Sequence, residues 1–289
     1  MAVSSKIKDA LNWCLAPANL SLQTRTAERQ EEARLLARAA RGQFEDRAFP
    51  ILPQFINCDP APIFEAIKFY RPETERFSRL PEQEGYSFHN NYFFPPDAQT
   101  AYALLRMLKP ARIVEVGSGN STWLFRRAIA DGGIETELYS IDPHPRRSIE
   151  GTAKLRQEAG ENIPPSFFFD TLREGDFLFI DSSHEIKVGN DVLHLLLNIL
   201  PGLSPGVVVH IHDIFLPFDY PKSWIIDDRR HRFGEQYLVQ AMLSGSNRYE
   251  VIWPGRYLQL TREDFEAKLS SPVPLREATS LWLRVKAPQ

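Results

Sequence analysis

The sequence predicts an α/β chain built on a doubly wound sheet, and three observations carry that expectation. Short apolar runs rich in β-branched and aromatic residues recur between residues 112 and 285. Stretches with helical spacing separate most of them, as strand–helix–strand units require. The first run also breaks into a Gly-x-Gly turn that opens a helix, a junction where a ligand can come close to the backbone.

Composition bounds the rest. A chain of 289 residues holds one large α/β domain plus an extension. Its 43% apolar and 25% charged content excludes wholesale disorder. The net charge is −3 with no sustained Lys/Arg run, which argues against a nucleic-acid or anionic-membrane partner. The short basic clusters Arg126-Arg127, Arg146-Arg147 and Asp227-Asp228-Arg229-Arg230-His231-Arg232 are explained as well by solvated faces as by phosphate binding. Cys14 and Cys58 match no zinc spacing. No stretch approaches membrane-spanning length, so a cytoplasmic protein is expected.

Residues 1–85 read as a mainly helical N-terminal extension, a lid or an oligomerisation arm compatible with a homodimer. A helix is expected over 27–41, where Ala, Glu, Leu, Arg and Gln dominate and Leu35, Leu36 and Ala39 give a thin apolar stripe. Pro50, Pro53, Pro60 and Pro62 then punctuate an extended region, and 63–70 is a short helix candidate. The sheet domain takes 86–289. It opens on Phe88-His89-Asn90-Asn91-Tyr92-Phe93-Phe94, an aromatic and amide-rich stretch suited to lining a substrate pocket. Asp97 reads as the N-cap of a helix through Leu108. Strands follow at Arg112-Ile113-Val114-Glu115-Val116 and Leu138-Tyr139-Ser140-Ile141-Asp142. A weak helix over 148–159 separates the second from a third strand at Phe167-Phe168-Phe169-Asp170. The fourth strand is Asp176-Phe177-Leu178-Phe179-Ile180-Asp181, a helix covers 190–199, and the fifth strand is Gly206-Val207-Val208-Val209-His210-Ile211-His212-Asp213. A helix over 232–246 and strands at Tyr249-Glu250-Val251-Ile252-Trp253 and Ser280-Leu281-Trp282-Leu283-Arg284-Val285 close a seven-stranded sheet.

The turn Gly117-Ser118-Gly119-Asn120-Ser121-Thr122 lacks the third glycine of a dinucleotide fingerprint, because Thr122 stands in its place. Asp142, about twenty residues on, suits a ribose diol, since an ionised carboxylate accepts from both hydroxyls. Glu115 suits a cationic ligand such as the amino-acid end of S-adenosylmethionine, directly or by bracing the turn. Together these residues resemble motif I and the following acidic motif of class I S-adenosylmethionine-dependent methyltransferases. The resemblance implies a Rossmann-like sheet whose final strand inserts antiparallel. It also implies S-adenosyl-L-methionine bound by Glu115, Gly117, Ser118, Gly119, Ser121, Thr122, Asp142 and Asp181, with Asp170 near the adenine amine.

A second constellation sits at neighbouring strand ends. The fourth strand delivers Asp181-Ser182-Ser183-His184 and the fifth His212-Asp213, where open α/β sheets bind ligands. Asp181, His212 and Asp213 can share a divalent cation. They look similar to the acids of metal-dependent O-methyltransferases of the catechol and macrolide-sugar types. His212 departs from that pattern, which has an oxygen donor there. Imidazole suits Mn²⁺, Fe²⁺ or Zn²⁺ better than Mg²⁺. Without a metal, His184 or His212 is the candidate base and Asp213 its neighbour. His210, deeper in the same strand, reads as a core residue or as support for His212. The stretch from about Asn90 onward is similar to the bacterial branch grouped as methyltransferase type 24.

The expected activity is therefore methyl transfer from S-adenosylmethionine to a small-molecule acceptor, most plausibly at oxygen. Two rivals come from other classes. An NAD(P)-dependent oxidoreductase is disfavoured by the absent third glycine and by the lack of a Tyr-x-x-x-Lys pair. A non-catalytic scaffold is disfavoured by an intact cluster of ionisable residues.

Overall fold

The computed structural model describes residues 5–21, 25–81, 85–228, 230 and 232–287. Arg229 and His231 of the expected basic cluster lie outside the described residues. The chain divides into two compact units, one of Met1–Asp46 with Pro221–His231, the other of Arg47–Tyr220 with Arg232–Gln289. No helix of the described residues is long and apolar enough to cross a membrane.

The smaller unit holds helices α1 (Ser5–Leu15) and α2 (Thr26–Ala40) and a π-helical turn over Ser223–Asp227 that packs on α2. The thin stripe of α2 buries only Leu35, while Leu36 stays exposed. In the larger unit, α3 (Pro53–Ile56) opens on a proline and α4 (Ala61–Thr74) carries Pro62 in its first turn, where a fixed φ suits the helix. The short helix expected over 63–70 is thus a longer one, and it packs on α5 (Asp97–Leu108).

Seven strands run in the order β3-β2-β1-β4-β5-β7-β6. They are β1 (Arg112–Val116), β2 (Glu137–Ile141), β3 (Lys154–Arg156), β4 (Phe177–Ile180), β5 (Val208–Ile211), β6 (Tyr249–Pro254) and β7 (Leu281–Val285). The first five pair in parallel, and β7 inserts antiparallel between β5 and β6. The order reverses between β1 and β4, so their carboxyl ends form the crevice where such sheets take ligands. Strand alternation feeds two cores. Val114, Val116, Leu178, Ile180, Val209 and Ile211 pack on one face, and Ile113, Phe177, Phe179 and Val208 on the other, beneath α5 and α6 (Asn120–Gly132). Full burial of side chains this size is worth roughly 1.5–3 kcal/mol each.

Three expectations are corrected. The aromatic run Phe167-Phe168-Phe169 is not a strand but lies in helix α7 (Pro165–Thr171), which Pro165 opens and whose Phe168 alone is fully buried. A triplet of aromatics fits one helix face plus its flanks as well as it fits a strand, and the preceding Pro164-Pro165 decides for the helix. The third strand is β3 instead, inside the stretch expected to be helical over 148–159, where Gly151 takes φ +69° and breaks any helix. Asp97 is the first residue of α5 rather than its N-cap, and its carboxylate turns inward to Thr279 and Ser280.

The remaining helices are α8 (Asp191–Leu193), α9 (Glu235–Gly245), α10 (Gly255–Thr261) and α11 (Phe265–Leu269). Asn190 caps α8 by accepting from the Leu193 amide, and α8 continues as a π-helix over His194–Ile199.

Candidate active site

Past the strand ends the ladders continue for one residue. The Gly117 amide donates to the Ile141 carbonyl, Asp181 to Val116, and His212 to Ile180, each at 2.9 Å. That register fixes the three positions side by side at the tips of β1, β4 and β5.

The glycine turn is tightly specified. Gly117 has φ +87°, and a Cβ there would stand 1.8 Å from the Asp181 carbonyl oxygen, so no side chain fits. Gly119 differs, because a Cβ on it meets nothing within 4 Å, which leaves open space above the turn. Asp142 accepts from the Ser118 amide and hydroxyl through Oδ2, both at 2.8 Å, and from the His144 amide through Oδ1 at 2.8 Å. Its Oδ1 retains a lone pair for a ligand hydroxyl.

Glu115 is fully buried and braces the turn. Its carboxyl accepts from the hydroxyls of Ser121 at 2.5 Å, Thr122 at 2.6 Å and Ser140 at 3.2 Å. Burial pushes it up to about 8, although those three donors pull the other way. Of the two roles open to Glu115, bracing is the one built, and Ser121 and Thr122 spend their hydroxyls on it. What they leave for a ligand is the backbone at the start of α6. Asp170 is not at a strand tip; it is exposed on α7, as the loss of the expected third strand dictates.

The second constellation does assemble. His212 Nδ1 lies 3.2 Å from Asp213 Oδ1 and 3.5 Å from Asp181 Oδ1. His184 Nε2 lies 3.2 Å from the same Asp181 oxygen and 3.4 Å from Asp213 Oδ2. Each imidazole is held from behind. His212 Nε2 is 3.2 Å from Thr279 Oγ1, which in turn is 3.0 Å from Asp97 Oδ2. A carboxylate only accepts, so the Thr279 hydroxyl donates to Asp97 and accepts from His212 Nε2–H. His184 Nδ1 faces Glu235 Oε2 at 2.9 Å. Both rings thereby turn a lone pair toward Asp181 and Asp213, an arrangement that needs protons or a cation between nitrogen and oxygen.

The electrostatics agree. Burial opposes charge on His184, but Asp213, Asp181 and Glu235 outweigh it and hold the ring well above its ordinary pKa. Asp181 and Asp213 do the same for His212. Burial raises Asp181 and Asp213 in their turn, yet the two imidazoles hold both below the usual carboxylate range. His184 and Asp213 both carry φ +58°, a backbone region uncommon outside glycine that concentrates at functional sites.

Donor atoms of Asp181, His212 and Asp213 lie within 4.8 Å of one another. Donors bound to a first-row cation at ~2.1 Å lie at most about 4.2 Å apart, and His212 Nδ1 already stands 3.2 Å from Asp213 Oδ1 and 3.5 Å from Asp181 Oδ1. The mixed oxygen and nitrogen donors suit Mn²⁺, Fe²⁺ or Zn²⁺.

His210 is packing. It stacks on Phe179 at 3.8 Å and meets Ser280 Oγ at 2.9 Å, and burial holds it well below its ordinary pKa. The aromatic stretch reaches the site through Phe93, whose ring lies 5.4 Å from His212. Asn90 holds that stretch in shape, donating to the Ser87 and Phe93 carbonyls and accepting from the Tyr92 and Phe93 amides. A cavity of about 890 Å³ opens elsewhere, along β6, lined by Leu52, Asn57, Met107 and Glu250 and by no member of the cluster.

Sequence reasoning missed Asp97, Thr279 and Glu235 as members of the site. Asp97 and Thr279 stand 182 residues apart and no local pattern joins them. Glu235 opens a helix, where an acid is commonplace.

Residues 114–214 match the family model Methyltransf_24, a methyltransferase domain. No curated protein matches the sequence. Among solved structures, the chain is similar to the SAH-bound methyltransferase PaMTH1 of Podospora anserina, at 15% identity over 93% of this chain and 100% of that one, with a TM-score of 0.44. It is similar also to the O-methyltransferase TomG of Streptomyces achromogenes, involved in tomaymycin synthesis and solved with SAM, at 17% identity over 77% and 90% of the two chains, with a TM-score of 0.43. A third is the O-methyltransferase of Bacillus cereus in complex with SAH, at 14% identity over 80% and 93%, with a TM-score of 0.41. From β1 to the tip of β5, the chain matches a methyltransferase domain.

Proposed function

We propose that the protein methylates a hydroxyl oxygen of a small molecule, taking the methyl group from S-adenosylmethionine. The observation that carries this reading is Asp181. Its carbonyl oxygen lies against Gly117 in the turn, and its carboxylate touches both imidazoles of the cluster. One residue thus joins a nucleoside-binding bend to a group of bases.

In this reading the Gly117–Gly119 turn and Asp142 hold the donor, and the acceptor lies beside Asp181, Phe93 and His184. The sulfonium is already activated, so the protein's task is to align three atoms and deprotonate the acceptor. The oxygen forms a bond to the methyl carbon, the carbon–sulfur pair stays on sulfur as a thioether, and His184 Nε2 takes the hydroxyl proton when its ring is neutral, so turnover rises with pH toward that ring's raised pKa. Asp181, His212 and Asp213 would hold a divalent cation. Such an ion lowers the acceptor's pKa and orients it.

The test is release of S-adenosylhomocysteine from S-adenosylmethionine with a panel of simple catechols and phenols, followed by mass spectrometry. Asp213→Ala is expected to bind S-adenosylhomocysteine normally by calorimetry and to lose turnover roughly 10²–10⁴-fold. Full activity in that variant sinks the assignment. Exhaustive chelation is expected to abolish turnover, and Mn²⁺ to restore it better than Mg²⁺. Activity that survives chelation removes the cation from the reading and leaves His184 as the base.

A further inference from the structure

We infer that the free edge of β6 is a peptide-binding groove, which takes an extended segment of a partner polypeptide as an eighth strand. The inference does not rest on the methyl-transfer reading, because no residue of the cluster or of the glycine turn lines the groove.

Strand β6 ends the sheet order and pairs only with β7 among the described residues. The direction of its backbone groups follows from β7. The Val285 amide donates to the Val207 carbonyl at 2.9 Å, and the Val285 carbonyl accepts from the Gly206 amide at 2.8 Å. Val285 thus spends both groups on the β5 side. Tyr249 stands opposite Val285, and Val251 opposite Leu283, two positions along. In an antiparallel pair, residues so placed turn their N–H and C=O groups away from each other. Tyr249 and Val251 therefore aim two amides and two carbonyls out of the sheet, and no described residue outside the sheet bonds them.

The cavity of about 890 Å³ runs along this edge. Leu104 of α5 and Leu243 of α9 both line it, and they belong to the cores on opposite faces of the sheet. A space bordered from both faces, and by Tyr249 and Val251, lies against the edge itself. Its outer wall comes from the segment between Pro50 and Asp59. Helix α3 closes the far end, where Phe55 meets the Tyr257 ring at 5.8 Å just beyond β6.

Spacing and access choose the occupant. Outward groups on alternate residues recur about every 6.8 Å, a repeat that an extended backbone matches with its own carbonyls and amides. A second copy of this chain would bring a β6 edge flanked by the same outer wall, so two such edges cannot meet inside the groove. A bare segment can enter. Its alternate side chains fall on opposite faces of the sheet. Those on the α5 side meet Leu104 and Met107 and are apolar. Those on the α9 side meet Gln54, whose Nε2 donates to the Leu243 carbonyl at 2.9 Å and whose buried Oε1 has no partner among the described residues. A hydroxyl or amide side chain supplies that donor.

The experiment pans a phage-displayed library of random heptapeptides on the full chain and synthesises the strongest binder as a free peptide. In the unliganded chain, the Tyr249 and Val251 amide protons are expected to exchange with solvent within minutes, and the peptide should slow both. N-methylation of the alternate peptide residues whose amides face β6 should weaken binding roughly tenfold or more by calorimetry, while the intervening residues should tolerate it within about threefold. Val251→Pro removes one outward N–H without touching the β7 ladder, and it should cost a similar factor. Should that variant fail to fold, the N-methyl pattern decides on wild type. Slow exchange of both amides in the unliganded chain, a library that yields no binder, or N-methyl losses without alternation overturns the inference. A concentration-dependent dimer that protects the same two amides overturns it in favour of a second copy.

Discussion

Glu115 carries an ionisable carboxyl where nothing but hydroxyls can solvate it, and its titration is a direct probe of the turn. Its pKa rises from the ordinary 4.5 to about 8 on folding, so the folded chain holds this proton more tightly than the unfolded one. The stability it confers is fully present below about pH 4.5 and is lost as pH rises toward 8. We expect Glu115→Gln to flatten the fall in Tm between pH 5 and 8 relative to wild type, measured by calorimetry without ligand. A slope identical to wild type would mean that the carboxyl is not buried as described. Asp142 gives a second, independent residue-scale test. Asp142→Ala removes the acceptor of the Ser118 amide and hydroxyl along with the candidate ribose ligand, hydrogen bonds to a charged group worth about 1.5–3 kcal/mol each. S-adenosylhomocysteine should bind roughly 10–100-fold more weakly by titration calorimetry, and an unchanged Kd would take Asp142 out of the ligand site.

At the level of elements, two glycines two positions apart in the turn make a sharp comparison. Gly117→Ala forces a Cβ into the Asp181 carbonyl at φ +87°, and since that carbonyl is backbone and cannot swing aside, the tips of β1 and β4 must separate. It should unfold the chain by several degrees and scatter the cluster. Gly119→Ala meets open space, so its cost is the strained φ of +156° alone, and the expected loss falls on cofactor affinity rather than on Tm. Equal Tm losses in the two variants would contradict this account. The pattern also shows what sequence could and could not disclose. Strands β1, β4 and β5 were legible because each is a short apolar run ending in polar residues, and register follows once their tips are aligned. That alignment also made Asp181, His184, His212 and Asp213 legible as one cluster. Phe167-Phe168-Phe169 misled because an aromatic triplet has no period of its own, and β3 escaped notice because Lys154-Leu155-Arg156 is a half-exposed edge strand with no apolar signature. Asp97, Thr279 and Glu235 were out of reach for a different reason. They act through tertiary contacts across 51 to 182 residues, and each has an ordinary local explanation.

For the molecule as a whole, the division into units makes a prediction about autonomy. The sheet's two cores draw on residues from Leu52 to Val285 and include none of the described residues of Met1–Asp46 or Pro221–His231. Every residue of the cluster and of the glycine turn belongs to the larger unit as well. The hydrophobic term, at roughly 25 cal/mol for each Å² of apolar surface removed from water, therefore falls almost wholly within Arg47–Tyr220 and Arg232–Gln289. Among its described large apolar side chains the smaller unit buries only Leu35, Phe44 and Ile225, and leaves Ile7, Leu11, Trp13, Leu20 and Leu36 exposed. A chain that begins at Arg47 is accordingly expected to unfold in one cooperative transition and to bind S-adenosylhomocysteine with a Kd within about threefold of the full chain, by thermal melting and titration calorimetry. Loss of cooperative unfolding in that truncation would show that residues 1–46 contribute to the fold of the sheet. Cooperative unfolding with lost affinity would instead assign those residues to the ligand site, and that outcome would make them part of the reaction rather than an attachment to it.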